Sequence, residues 1–89
     1  MLEEYRNQID EIDLIILEEL EKRFRVAEKI AELKEEEGLP IESQQREEEV
    51  RANISTNASP DLEAFVLAVF DAIISETKNY QEILIDMDE

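Results

Sequence analysis

Three cations, Arg6, Arg23 and Lys34, fall where a long amphipathic helix should be apolar. At about 100° per residue, Ile9, Ile12, Ile16, Leu20, Ala27, Ile30 and Ala31 define one face, and the three cations project from that face. Moving a cation from water towards an apolar interior costs several kcal/mol unless an anion meets it. The pattern therefore points to an anion site inside a helical core. Arg23 and Lys34 are three helical turns apart, so their side chains emerge nearly in line, about 16 Å from each other, and can lean towards a small ligand between them. Arg6 lies about 25 Å from Arg23 along the same axis, too far for both to touch one small molecule from one straight helix. If Arg6 shares the site, it must come from another subunit. Thr77 and Gln81, four residues apart, lie on or beside a second apolar stripe of Val66, Val69, Phe70, Ile73 and Tyr80, and add two neutral hydrogen-bonding groups.

Positioning these groups requires three helices. The first is predicted from about Leu2 to about Glu36, a stretch without Gly or Pro and with apolar positions at spacings of three and four, ended by Gly38-Leu39-Pro40. Ser43 is a plausible N-cap for a second, charged helix running to about Ile54. Ser59-Pro60-Asp61 reads as an N-cap, a proline in the first helical position and an acid in the first turn, opening a third helix to about Leu84. The tail from Asp86 to Glu89 is expected to fray. No period-two alternation is present, so the expected class is all-α. A first helix of about 35 residues would be about 52 Å long, against a radius of gyration of about 12 Å for a compact domain of this length. Its stripe would be left in water over much of that length, which favours a partner chain laid along it and hence a helical homodimer. A simple coiled coil is the plainer alternative, and the cations in the stripe count against it.

The 89 residues fit one small domain, spanning residues 1–89. Nine Lys and Arg against 25 Asp and Glu give a net charge of −16, which argues against nucleic-acid and anionic-membrane partners. Any anionic ligand must be held by local positive charge against that field. With no Cys and no His, thiol chemistry, the commonest zinc ligand and the commonest general base are all missing. No charged-then-apolar leader opens the chain and no apolar run approaches a membrane span, so a soluble, cytoplasmic protein is expected.

The opening from Leu2 to Asp13, the Lys22-Arg23 pair, Lys34, the Gly38-Leu39-Pro40-Ile41 turn, Arg46-Glu47 and the segment from Ile73-Ile74 to Gln81 together resemble the all-helical class of chorismate mutases. The resemblance covers nearly the whole chain in order. It implies an intertwined homodimer of three-helix chains with two equivalent sites, each completed by an arginine from the other subunit's first helix. It further implies conversion of chorismate, a small dianion, to prephenate in phenylalanine and tyrosine biosynthesis. On that resemblance Arg23, and Arg6 of the other chain, would bind substrate carboxylates, to which the planar guanidinium fork is suited. Lys34 would contact the ether oxygen and a neighbouring carboxylate, Gln81 would donate to the other side of that oxygen, and Glu47 would accept from the ring hydroxyl. Arg46 would help enclose the pocket, and Thr77 would stand where the family often has Ser. Ser43 would stand among the substrate-binding residues, as a second contact to the ring hydroxyl, but it departs from the pattern, since many relatives carry Asp there followed by Pro, and a cap alone is the alternative. The implied reaction is an intramolecular pericyclic rearrangement, needing no nucleophile, metal or cofactor, so a chain without His or Cys loses nothing.

Plainer readings stand beside each assignment. An isolated Arg or Lys near a stripe usually snorkels to water, Glu47 in a run of acids reads as solvated first-turn charge, Thr77 as a rim residue and Gln81 as a surface amide. Arg25, Lys29, Arg51 and Lys78 are assigned to the surface. Two rival functions remain: an isochorismate-pyruvate lyase on the same scaffold, whose relatives tend to have an apolar residue where Glu47 stands, and a noncatalytic helical dimer or regulatory domain. The net charge points either to adaptation to high salt or to an ordinary very acidic surface. If the first holds, resistance of the dimer to dissociation will rise strongly with salt in sedimentation measurements; a flat response dismisses it.

Overall fold

The computed structural model describes residues 1–88 and consists of three helices, α1 (Leu2–Glu37), α2 (Gln44–Asn57) and α3 (Glu63–Asp88), with no strand among the described residues. The end of α1 follows from its glycine. Gly38 sits at φ 70° and ψ 26°, its N–H donates to the Glu35 carbonyl at 3.2 Å, and the Leu39 N–H donates to the Lys34 carbonyl at 2.8 Å. This is the two-bond closure that a left-handed residue permits, and it turns the chain back towards α1. Ser43 then caps α2, its hydroxyl accepting from the Arg46 N–H at 3.2 Å. Such a cap contributes about 1 kcal/mol.

Two predicted boundaries move. The Leu62 N–H donates to the Ser59 carbonyl at 2.9 Å, so Ser59 to Leu62 close a tight turn, and α3 starts at Glu63 rather than at Pro60. Meanwhile α2 continues to Asn57, three residues past its predicted end. The tail, expected to fray from Asp86, is helical through Asp88; Glu89 lies outside the described residues. No Gly or Pro follows Pro60 to interrupt Ile83-Leu84-Ile85.

Packing is sparse within one chain. α3 packs against both α1 and α2, which do not pack on each other. Ala27 and Ala31 are the buried apolar residues of α1, small enough for α3 to approach closely. Phe24 meets Tyr80 edge to face at 5.6 Å, and the Tyr80 hydroxyl donates to Glu28, which also pairs with Arg25. The first 19 residues are exposed throughout. Ile9, Ile12 and Ile16 are 56%, 50% and 50% exposed, and burying what remains of each would contribute about 1 kcal/mol, roughly half the gain for a fully exposed side chain. Of the predicted α3 stripe, Val66, Phe70, Ile73 and Tyr80 are half-buried while Val69 is exposed. The chain measures 54 × 26 × 14 Å with a radius of gyration of 16.0 Å, well above the compact expectation. Among the described residues no helix is long and apolar enough to cross a membrane.

Candidate active site

The approach of α3 to α1 and the return of α2 enclose a cleft of about 630 Å³, in the range of small-molecule sites. Seven of the eight predicted site residues line it: Arg23 and Lys34 from α1, Ser43 at the cap, Arg46 and Glu47 from α2, and Thr77 and Gln81 from α3. Its apolar walls include Val26, Ile30, Ile41, Val50 and Ile74. The eighth, Arg6, is on the exposed first half of α1, outside the cleft and paired with Glu3 at 3.2 Å.

Each polar group is held by a neighbour that leaves part of it unused. One Arg23 nitrogen donates to the Thr77 hydroxyl at 2.8 Å, and that hydroxyl donates to the Ile73 carbonyl at 2.6 Å. A guanidinium carries five N–H groups, and among the described residues Arg23 makes no other side-chain hydrogen bond, so its remaining donors are unused. Lys34 donates to the Ile41 carbonyl at 2.9 Å, keeping two further donors. Gln81 is 6% exposed and directs its amide nitrogen to the Ala27 carbonyl at 2.9 Å. That bond fixes which end of the amide is the donor and leaves the second N–H free.

Electrostatics set this cleft apart from the rest of the molecule. Among the described residues Arg23 and Lys34 have no carboxylate within ion-pair distance, although the chain holds 25 acids; Arg46, at the rim, pairs with Glu49 at 3.3 Å. Burial, and then the nearby Arg46 cation, lower the Arg23 pKa from its ordinary value. A partly desolvated guanidinium with a second cation nearby is stabilised by an arriving anion.

Lys78 corrects the sequence reading. Assigned there to the surface, it lines the cleft with its side chain 28% exposed, and donates to Glu42 at 3.2 Å and to Glu47 at 3.3 Å. The signal was present: Lys78 follows Ile74 by four residues and precedes Gln81 by three, on one helical face. Glu42, in the connection between α1 and α2, had no periodicity to mark it. Arg25 and Arg51 are exposed at 71% and 44%, as assigned, and Lys29 is exposed too.

The three-helix scaffold thus carries a cleft lined by five cations, two carboxylates and one buried amide, an excess of positive charge in an acidic chain. The profile of the chorismate mutase type II family matches residues 5–82, from just before Arg6 to just after Gln81. The chain belongs to that family. No curated protein and no solved structure matches it.

Proposed function

We propose that the chain is a chorismate mutase acting as a homodimer, rearranging chorismate to prephenate without a cofactor. The observation that carries this reading is the pair of half-buried cations, Arg23 and Lys34, left without carboxylate partners among the described residues of so acidic a chain. Arg23 binds a substrate carboxylate, with Arg46 closing the rim. Lys34 and Gln81 direct their unused donors to the ether oxygen as it gains negative charge, and Thr77 orients Arg23. Glu47 accepts from the ring hydroxyl, which favours the mutase over the lyase. Ser43 caps α2 and thereby places Arg46 and Glu47. Catalysis then comes from holding a compact conformer and from preorganised donors at the breaking bond.

A second copy of the chain supplies what the single chain lacks. Laid along α1, it would cover Ile9, Ile12 and Ile16 and bring its own Arg6 to the cleft. Loss of chorismate absorbance with purified protein, with the product identified, tests the activity. Prephenate should form, and Arg23→Ala should abolish its formation. An inert wild-type protein overturns the mutase reading; turnover of isochorismate in its place establishes the lyase.

A further inference from the structure

Among the described residues, Lys78 is the one cation of the cleft engaged with two carboxylates from different segments. From α3 it reaches Glu42 in the connection after α1 and Glu47 in the first turn of α2, so three parts of the chain meet at one ammonium. Glu42 is 66% exposed, whereas Lys78 and Glu47 are each 28% exposed, which makes the inner contact the more shielded one. A carboxylate this enclosed needs a cation or it turns out to water.

The two oxygens of Glu47 differ. Oε1 accepts from Lys78, while Oε2 is buried and has no hydrogen-bond partner among the described residues. A buried acceptor left unpaired is unfavourable, and a donor arriving with a ligand would recover that loss. The ammonium itself stays charged, since the Glu42 bond, opposed by desolvation and aided by the Glu47 bond, raises its pKa above the ordinary lysine value.

We propose that Lys78 is a positioning residue that acts through Glu47, anchoring Oε1 so that Oε2 stays available to a hydroxyl donor of the substrate. The proposal rests on the mutase reading of the same cleft. Lys78 makes no contact with the substrate in this arrangement; its link to Glu42 ties the connection between α1 and α2 to α3 and keeps the ammonium over Glu47. An orientation lost at Glu47 frees the ring to rotate relative to the bond that must form, so the effect falls on kcat more than on KM.

The test compares Lys78→Met, which keeps an apolar stem without the charge, and Lys78→Arg, each made in the wild-type chain and in Glu47→Gln. Steady-state turnover of chorismate is measured for all of them, with melting curves to confirm folding. Lys78→Met should lower kcat about tenfold with KM within about twofold, and Lys78→Arg should recover most of the loss. In the Glu47→Gln background the same Lys78→Met change should cost less than about twofold, because no carboxylate remains to be anchored. Equal losses in both backgrounds, or a wild-type kcat in Lys78→Met, overturn the role of Lys78 while leaving the mutase reading standing. A wild-type protein that does not turn over chorismate removes that reading and the role of Lys78 with it.

Discussion

Lys34→Ala should lower kcat for the rearrangement by about 10²–10³-fold, with Gln81→Ala losing a similar factor. Both groups enter the cleft with a donor to spare. Lys34 uses one of its three on Ile41, and the Gln81 amide uses one of its two on Ala27. These existing bonds are what make the spare donors effective. An ammonium tethered to the Ile41 carbonyl and an amide tethered beneath Ala27 need little reorganisation when charge builds on the ether oxygen, and reorganisation is the cost that water as a solvent cannot avoid. Stopped assays of prephenate formation with each purified variant measure the effect, and melting curves separate it from unfolding. Near-normal turnover in either variant removes that residue from the reaction. The chemical nature of position 81 adds a second readout. Gln is neutral at all working pH, so wild-type activity should not require acid. A glutamic acid donates only when protonated, so Gln81→Glu should be most active at low pH and lose rate as pH rises through the carboxyl pKa. A wild-type rate that climbs steeply as pH falls contradicts the assignment.

The three helices were legible because their signals are local. Gly38 and Ser43 mark the turn between α1 and α2 by backbone chemistry that depends on no distant contact, and both act as the sequence indicates. Pro60 misled because a proline after Ser fits both the first turn of a helix and a tight turn; the carbonyl of Ser59 took the Leu62 N–H, and the helix began three residues later. Site residues were legible where a polar group violated an apolar face. Arg23, Lys34, Thr77 and Gln81 each sit where the stripe calls for Leu or Ile, and all four line one cleft. Lys78 lies off that stripe, one turn after Ile74, and was assigned to the surface. Its partner Glu42 lies in an irregular connection, where spacing carries no direction. The pairing of a half-buried lysine with two acids is a tertiary fact that no single segment contains.

Mixing two inactive chains, Arg6→Ala and Arg23→Ala, should restore activity once their subunits exchange. Arg6 lies about 25 Å from Arg23 along the same helix, it is 64% exposed, and its salt bridge is to Glu3 on its own first turn, outside the cleft. Within one chain it has no route to a ligand held by Arg23. In a symmetric dimer with the two first helices side by side, each cleft takes Arg23 from one chain and Arg6 from the other. A mixed dimer then has one site lacking both arginines and one site with both intact. Random exchange makes about half of the dimers mixed, and one site in two of those is whole, so about a quarter of the wild-type activity should return. Were Arg6 to serve its own chain's cleft, every site in a mixed dimer would lack one arginine and mixing would restore nothing. Exchange is best driven at low salt, where the repulsion between two chains of −16 each loosens the dimer, with co-purification of the untagged variant on an affinity tag carried by the other confirming that mixed dimers form. Recovery near a quarter establishes a shared site; mixed dimers without recovery confine Arg6 to a surface role and require another source for the second carboxylate contact.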